Sequence, residues 1–151
     1  MALELRSYRP NDLDAMHALD VLCFEKPFRF TRAAMRQFAE AKKARVIIAE
    51  VGVALSGFVI LHVERSEEGR LGYVVTLDVD PALRRSGIGV MLMGEVARQA
   101  RAENCVALVL HVFAGNEAAI RFYEHAGFMR KHGAVGFYGQ GADAWVYRKR
   151  I

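Results

Sequence analysis

Residues 77–89 read LDVDPALRRSGIG. The apolar alternation at the start of this segment is typical of a strand, and the residues after it show the apolar spacing of an amphipathic helix. Gly87 and Gly89, at the start of that helix, allow backbone N–H groups to approach an anion without interference from a Cβ atom. The helix N-terminus adds unpaired donors and a partial positive charge, and Arg84 and Arg85 add full charges. The segment therefore predicts a phosphate-binding turn between a strand and a helix.

Two better-known phosphate-binding motifs do not fit this turn. A Walker A loop requires Lys followed by Ser or Thr after its last glycine, where this chain has Val90 and Met91. A dinucleotide-binding fingerprint requires three glycines, and only Gly87 and Gly89 are in place. On this segment alone, an ordinary strand-to-helix turn in which the glycines cap the helix is an equally good interpretation.

Apolar periodicity and turn residues predict the elements on either side of this turn. Downstream, they are a helix to about residue 102, a strand at 106–112, a helix from about Glu117 that ends at Gly127, and a final strand at 145–149. Upstream, they are a strand at 3–8 ended by Pro10, a helix at 11–22, a helix capped by Thr31, a hairpin of strands 46–49 and 57–63, and a strand at 72–79. Antiparallel strands followed by a βαβα series predict an α+β (mixed α/β) fold, in which a mixed central sheet carries flanking helices.

The length of 151 residues suits a single domain, residues 1–151, and neither a repeat nor a linker divides it. No apolar run approaches the ~18–20 residues of a membrane helix, and the N-terminus lacks the features of a secretory signal. These observations predict a cytoplasmic protein with no membrane partner. Cys23 and Cys105 lack the spacing of metal ligands, so we expect buried free thiols and no metal site.

The chain is mildly basic, with a formal net charge of +4. A positive balance suits either nucleic acid or a polyanionic cofactor such as coenzyme A, and charge alone does not decide between them. Lysine and arginine are scattered along the chain, and no aromatic residues alternate with them as a stacking platform. The sequence therefore favours the absence of a nucleic-acid partner.

Two spaced motifs narrow the function. Residues 84–89, RRSGIG, match the signature Q/R-x-x-G-x-G/A, and residues 116–128, NEAAIRFYEHAGF, match N-x-x-A-x-x-x-Y-x-x-x-G-F. Both patterns occur in this order in the GNAT superfamily of N-acetyltransferases, and residues 5–13 resemble its usual first strand and helix. The chain thus resembles a GNAT acetyltransferase over nearly its whole length. The resemblance implies the GNAT fold, acetyl-CoA (coenzyme A) as cofactor, and direct transfer of an acetyl group to an amine.

Further segments are similar to one group within the superfamily, the N-terminal acetyltransferases of RimI type and NatE type. These segments are YVVTL at 73–77, LHV at 110–112, and the stretches 23–28 and 137–144. The similarity implies that the acceptor is the α-amine of a protein or peptide N-terminus. It leaves the oligomeric state open between a monomer and a homodimer.

Direct transfer requires a neutral amine, stabilisation of an oxyanion, and a proton for the departing thiolate. The resemblance assigns the proton donor to Tyr123, whose phenol has an ordinary pKa of about 10. In the alternative, Tyr123 is a core residue whose hydroxyl bonds a backbone carbonyl. The resemblance assigns the base to His111 or Tyr73, and water alone or a purely structural His111 is the alternative. An N-terminal α-amine has a pKa of about 8, so a histidine with its ordinary pKa of about 6.5 suffices.

The resemblance also implies a set of binding residues. Those for the cofactor are Leu77, Asp78, Val79, Arg84, Arg85, Ser86, Gly87, Ile88, Gly89, Val90, Asn116 and Tyr123, and Asn116 is also predicted to cap the helix that follows it. Those for the acceptor are Phe28, Val75 and Tyr138, for which packing in the core or a lid is the alternative. A period of two places Tyr73, Val75 and Leu77 on one face of their strand, so we expect them to line one cleft.

Two departures from the N-terminal acetyltransferases affect the acceptor side. The closing hairpin is short and glycine-rich at 136–141, with Phe137 where that group usually has tyrosine, and no proline directly follows Phe24. The alternative function is therefore acetylation of a small-molecule amine such as a polyamine, an amino acid or an antibiotic. A third hypothesis, a catalytically silent module that binds acetyl-CoA, is disfavoured because Tyr123 and His111 are both present.

Overall fold

One mixed sheet runs through the computed structural model, which describes residues 2–151. Its strands are β1 (Leu3–Ser7), β2 (Ala44–Val51), β3 (Ala54–Ser66), β4 (Gly69–Val79), β5 (Cys105–Phe113), β6 (Met129–Ala134) and β7 (Ala144–Arg150). The α-helices are α1 (Leu13–Cys23), α2 (Arg32–Glu40), α3 (Ile88–Ala102) and α4 (Glu117–His125). Single 3-10 turns precede α1, α2 and α3, at Pro10–Asp12, Lys26–Phe28 and Pro81–Leu83.

The strands are ordered β1-β2-β3-β4-β5-β7-β6 across the sheet. Strands β4 and β5 are parallel and are joined by α3, whereas every other neighbouring pair is antiparallel. The predicted mixed sheet, with antiparallel strands first and a βαβα series later, is confirmed. The sequence did not predict β6, because every residue of this edge strand except Ala134 is exposed and the strand therefore shows no apolar alternation.

Two apolar clusters cover the two sides of the sheet. One side, which we call the α3 face, is covered by α3 and α4. Its fully buried residues include Leu61, Leu92, Val96 and Leu110. The other side, the α1 face, is covered by α1 and α2. Its buried residues include Met16, Met35, Ile48 and Phe58. A side chain on the sheet can therefore be assigned to a face by the cluster against which it packs.

Local capping begins the helices. The side chain of Thr31 accepts a hydrogen bond from the N–H of Ala34 at 3.1 Å and begins α2, as predicted. The helix expected from residue 11 instead starts as a 3-10 turn led by Pro10, so that α1 proper begins at Leu13. Within residues 2–151, none of the helices combines the length and apolar character that crossing a bilayer requires.

Strand β4 contains a bulge at Val75. Ile60 of β3 lies opposite Thr76, but the next residue, Leu61, lies opposite Val74, so Val75 has no partner on β3. A bulge of this kind moves the alternation of side chains along by one residue and bends the strand.

This bulge makes one prediction wrong. Val75 packs against the cluster of the α1 face, whereas Leu77 packs against the cluster of the α3 face. Tyr73 lies opposite His62, whose ring bonds the carbonyl of Phe38 in α2, so Tyr73 is also on the α1 face. The three residues Tyr73, Val75 and Leu77 do not share one face, because the extra residue breaks the period of two.

Strands β4 and β5 separate directly after the bulge begins. Their parallel pairing ends at Val74 and Leu110. Strand β4 nevertheless continues to Val79, and β5 continues to Phe113. Beyond this point β4 still pairs with β3 and β5 with β7, but the edges of β4 and β5 that face each other are unpaired and leave a space that we call the β4–β5 gap.

A pair of Gly→Ala substitutions tests how tightly the sheet is packed beside this gap. A Cβ atom on Gly57 would lie 3.0 Å from the backbone oxygen of Asp78 and 3.1 Å from Cγ2 of Ile88. We expect Gly57→Ala to lower the free energy of unfolding by ~1–3 kcal/mol, because a backbone atom cannot give way. Gly94→Ala is the control, since a Cβ atom there meets nothing within 4 Å and the helix should gain ~0.5–1 kcal/mol. Urea denaturation measures both, and an unchanged midpoint for Gly57→Ala would contradict the packing argument.

Candidate active site

The turn between β4 and α3 presents free backbone donors. The N–H groups of residues 87–90 donate to no acceptor in the described part of the chain. Gly87 is in the left-handed region, with φ 88°, and a Cβ atom there would meet nothing within 4 Å, so the space beside it is open. The hydroxyl of Ser86 donates to the carbonyl of Leu83 and closes the turn. Unpaired donors at the N-terminus of a long helix form a cradle for an anion.

Two arginines complete this cradle. Arg84 and Arg85 are exposed at its edge, and Arg85 has a φ of 67°, a conformation that residues other than glycine rarely adopt. Their charges add to the positive end of the α3 dipole and favour a polyanionic ligand. The pyrophosphate of acetyl-CoA, the cofactor predicted from the sequence, fits this set of donors.

Four other predicted cofactor residues offer only their backbone to a ligand. The side chains of Leu77, Val79 and Ile88 pack against the cluster of the α3 face. The side chain of Asp78 is buried towards α1, where its Oδ1 accepts a hydrogen bond from the hydroxyl of Thr76 at 2.6 Å. Their N–H and C=O groups beside the β4–β5 gap are the parts that can face a bound molecule.

Helix α4 begins next to the same turn. A Cβ atom on Gly89 would lie 3.1 Å from the ring of Phe122, so glycine allows the two helices to approach closely, while Val90 is exposed. The side chain of Asn116 accepts a hydrogen bond from the N–H of Ala119 at 3.1 Å, which confirms the predicted cap of α4. The side-chain Nδ2 of Asn116 donates to no described residue and remains available for a ligand.

Tyr123 lies on α4, near Asp78 at the end of β4 and near Tyr138 of the closing turn. Its ring packs on Phe122 and Phe128, with ring centroids 5.2 and 5.6 Å away. Its hydroxyl bonds no atom of the described residues, yet it is not enclosed, so it faces accessible space and not a backbone carbonyl. Burial, and after it the charges of Asp78 and Tyr138, raise the pKa of Tyr123 above its ordinary value. The phenol is therefore a protonated, unpartnered donor at neutral pH.

Tyr73 and His111 form a hydrogen-bonded pair on the α1 face. The phenol oxygen of Tyr73 lies 2.8 Å from Nδ1 of His111. The imidazole stacks on the ring of Phe137, with 3.9 Å between the ring centroids and an angle of 7° between the ring planes. Burial raises the pKa of Tyr73 to about 12. Burial, with a smaller contribution from His132, lowers the pKa of His111. At neutral pH the phenol is therefore protonated and the imidazole is neutral, so the pair can accept one proton.

A group of aromatic rings lies beside this pair. Phe28 packs on Phe113 at 4.7 Å and on Tyr138 at 5.2 Å between ring centroids. The hydroxyl of Tyr138 donates to the carbonyl of His111 at 3.3 Å, which holds the closing hairpin over β5. Val75, the third predicted acceptor residue, lies on the same face of the sheet.

Sequence reasoning missed Phe113 and did not assign Phe137 to the site. Phe113 follows His111 by two residues on β5, so the period of two could have placed both on one face. Phe137 contacts His111 only because the turn at 136–141 folds back over the strand, and no local pattern predicts that contact.

The site therefore brings together three chemical features. The turn before α3 offers free N–H donors to an anion, Tyr123 on α4 carries a free protonated phenol, and the Tyr73–His111 pair on the α1 face can accept a proton. Such an arrangement suits transfer of an acyl group between two ligands that enter from opposite sides, because one ligand must lose a proton and the other must gain one.

Comparison with known proteins agrees with this arrangement. Residues 13–128 match the model of the acetyltransferase (GNAT) family. Since this match covers most of the sequence, the chain belongs to the acetyltransferase (GNAT) family. N-alpha-acetyltransferase 30 of Homo sapiens is 31% identical over 98 residues, which make up 64% of this chain and 27% of that protein. The chain thus spans about a quarter of the length of this curated relative.

Solved structures confirm the predicted GNAT fold. The crystal structure of Arabidopsis thaliana NAA60 in complex with acetyl-CoA matches with a TM-score of 0.87 at 26% identity and covers 99% of both chains. The ribosomal-protein-S18-alanine N-acetyltransferase of Escherichia coli also matches with a TM-score of 0.87, covering 99% of this chain and 94% of that chain. Its identity is 20%, so this second likeness concerns the fold alone.

Replacement of both Arg84 and Arg85 by alanine tests the anion cradle. We expect the dissociation constant for coenzyme A to rise by about tenfold or more, because two charge-assisted contacts to phosphate are lost. Isothermal titration calorimetry measures this constant without any acceptor. Arg101→Ala, which removes a charge from the last turn of α3, is the control and should leave the constant unchanged. If the double variant binds coenzyme A as tightly as the original chain, the two arginines do not hold the phosphates.

Proposed function

We propose that this chain transfers the acetyl group of acetyl-CoA to the α-amine of a protein or peptide N-terminus. Three observations together support the proposal: the free phenol of Tyr123 near Asp78 and Tyr138, the Tyr73–His111 pair, and the turn with free backbone donors at the end of β4. The name of the human relative and the acetyl-CoA in the A. thaliana structure support the same acceptor and donor.

The cradle before α3 would hold the cofactor. Acetyl-CoA, when bound, supplies an acetyl group that is activated as a thioester. The N–H groups of residues 87–90, with Arg84 and Arg85, would bind its phosphates. The edge of β4 that faces β5 beyond Val74, and the side-chain Nδ2 of Asn116, would bind its pantetheine arm, since both offer hydrogen-bonding groups that the protein leaves unused.

The Tyr73–His111 pair would keep the acceptor amine neutral. If Nδ1 of His111 carries the hydrogen of the pair, the free lone pair on Nε2 takes the amine proton. If Tyr73 donates to Nδ1, the phenol oxygen takes the amine proton while its own proton passes to Nδ1. Either arrangement can take one proton, directly or through a water molecule. An α-amine has a pKa of about 8, against about 10.4 for lysine, so this modest base favours an N-terminus over a lysine side chain.

Tyr123 would deliver a proton to the departing thiolate. Its raised pKa keeps the proton on the phenol until a basic acceptor is present, and its hydroxyl has no competing partner. Neither cysteine suits a covalent route. Burial, and after it the charge of Asp78, raise the pKa of Cys23 to about 11, and Cys105 is buried on the α3 face. The described residues therefore support direct transfer.

The aromatic group Phe28, Phe113 and Tyr138 would line the slot for the acceptor. Their rings pack on one another at centroid distances of 4.7 to 6.4 Å and form an apolar surface near His111, which suits an extended chain end more than a strongly charged small amine. The small-molecule alternative has less support, because the curated relative is named for N-alpha acetylation. A single domain over residues 1–151, a cytoplasmic location, and the absence of nucleic-acid or membrane partners stay predictions from the sequence, as does a monomeric or homodimeric state.

Tyr123→Phe tests the proton donor. We expect kcat to fall by ~100-fold or more, because the substitution removes the donated proton and no hydrogen bond that stabilises the fold. Steady-state assays with a peptide acceptor measure the loss, and thermal unfolding shows whether the fold is intact. Tyr8→Phe removes a phenolic hydroxyl that bonds Glu40 at the surface and should leave kcat unchanged. Equal loss in both variants would contradict a catalytic role for Tyr123.

A matched panel of amines tests the acceptor. The purified protein is incubated with acetyl-CoA and peptides with free N-termini, the same peptides with blocked N-termini and free lysines, and small amines. Mass spectrometry then reports the addition of an acetyl group. We expect modification of the free N-termini alone, because the Tyr73–His111 base is too weak for lysine. Modification confined to the small amines would overturn the proposed acceptor while leaving the acetyl transfer itself intact.

A further inference from the structure

Two aspartates are buried side by side between α1 and β4. Asp20 lies in the last turn of α1 and Asp78 lies near the end of β4, and both have 0% of their surface exposed. The two carboxyl groups lie within hydrogen-bonding reach of each other. Two adjacent carboxylates in a protein interior repel each other and lose their hydration, so one proton between them is the arrangement with the lower free energy.

The hydrogen bonds around the pair show where this proton lies. Oδ2 of Asp20 accepts from the N–H of Phe30 at 2.8 Å, and Oδ1 of Asp78 accepts from the hydroxyl of Thr76 at 2.6 Å. The remaining oxygens, Oδ1 of Asp20 and Oδ2 of Asp78, are buried and have no donor among the described residues. One proton placed between these two oxygens satisfies both of them. The backbone N–H of Phe30 is fixed on Asp20, whereas the hydroxyl of Thr76 can rotate, so we place the proton on Asp78.

The pair also connects two parts of the site. Asp78 lies on the strand whose backbone borders the β4–β5 gap. Asp20 accepts a hydrogen bond from the N–H of Phe30, the last residue of segment 24–30. The same segment carries Phe28, which packs on Phe113. Arg29 fixes the other end of the segment, because its guanidinium donates to the carbonyl of Phe24 at 2.6 Å.

We propose that Asp78 donates a shared proton to Asp20 in the folded protein, and that this bond holds segment 24–30 against β4. Both aspartates are then positioning residues for the acceptor. This second part of the proposal rests on the proposed function, which places Phe28 in the acceptor slot.

The groups that face Asp78 from each neighbouring element are consistent with this proton. They are Asp20 and Cys23 from α1, Thr76 on β4, Arg84 from the following turn, and Tyr123 from α4. Burial and then Asp20 raise the pKa of Asp78 well above its ordinary value, and the bond from Thr76 and the charge of Arg84 act in the opposite direction with smaller effect.

The sign of the pH dependence follows from the raised pKa. The unfolded chain releases the Asp78 proton at about pH 4, whereas the folded protein keeps it to higher pH. The contribution of this proton to stability is therefore complete in acid and is lost as the pH rises through the folded pKa. Asp78→Asn removes the titrating group, while the amide can still donate to Asp20 and accept from Thr76.

The first experiment compares melting temperatures of the original chain, Asp78→Asn and Asp14→Asn from mildly acidic to mildly alkaline pH. At each pH we subtract the melting temperature of the original chain from that of Asp78→Asn. We expect this difference to rise by several degrees from the acidic to the alkaline end of the range. Asp14→Asn is the control, because Asp14 lies on the same helix but is 80% exposed in its ion pair with Arg32. It should follow the pH dependence of the original chain. Parallel curves for all three proteins would overturn the shared proton.

Infrared spectroscopy gives a second readout. The difference spectrum between the original chain and Asp78→Asn should contain the carbonyl stretch of a protonated carboxyl group at neutral pH, and its absence would overturn the proposal. Asp20→Asn provides an independent variant if Asp78→Asn does not fold. It should abolish the same pH dependence, since its amide can donate to Asp78 while its oxygen accepts from Phe30.

Hydrogen exchange at the amide of Phe30 tests the positioning role without any acceptor. We divide the exchange rate in the original chain by the rate in Asp78→Asn. This ratio should increase with pH, because the two carboxylates of the original chain repel each other once the shared proton is lost. A constant ratio would overturn the positioning role. The ratio of the KM values of the two proteins for a peptide should rise in parallel. If the exchange ratio rises while no peptide is acetylated, the shared proton and its effect on the loop are upheld, and it is the proposed acceptor that fails.

Discussion

The end of backbone pairing between β4 and β5 at Val74 and Leu110 determines where the chemistry of this protein can take place. A fully paired sheet would leave no space at its centre, and its two faces would be isolated from each other. Here the bulge at Val75 turns β4 away from its neighbour, and the strand ends carry N–H and C=O groups that no strand uses. Buried backbone groups need partners, so this gap is stable only if water or a ligand can supply them.

In the proposed reaction, the gap would let residues from opposite faces of the sheet act on the same molecule. Tyr123 comes from α4 on the α3 face, whereas the Tyr73–His111 pair is on the α1 face. In an intact sheet these groups would be separated by its thickness. Their environments push them into complementary states, since burial raises the pKa of the phenol of Tyr123 and lowers that of the imidazole of His111. One group therefore holds a proton and the other accepts one at the same pH.

The cofactor half could be predicted from the sequence because its signals are local. Arg84, Gly87 and Asn116 lie within short motifs at element boundaries, and a turn or a cap depends on only a few consecutive residues. Most helices and strands were found for the same reason. The acceptor half depends on long-range contacts. The residues around Val75 show no pattern that predicts a bulge, because the bulge arises from the register with β3.

The same distinction explains the missed site residues. Phe113 packs on Phe28, which comes from the loop after α1, and Phe137 stacks on His111 across a turn. The local sequence around each of these aromatic residues is equally compatible with an ordinary core residue. The expectation that Leu77 faces the same cleft as Tyr73 failed because the period of two holds only for an unbroken ladder.

The buried aspartates are where this chain departs furthest from what stability alone would select. Two apolar residues at these positions would be buried without a desolvation cost, and replacing buried ionisable groups by well-packed apolar ones is often stabilising. An apolar pair, however, would leave the N–H of Phe30 and the hydroxyl of Thr76 without acceptors. It would also remove the proposed hydrogen bond between Asp78 and Asp20, which is directional and would fix one register between α1 and β4. The position of Phe28 relative to the β4–β5 gap depends on that register. The desolvation free energy of the two aspartates is therefore spent on the geometry of the proposed acceptor site.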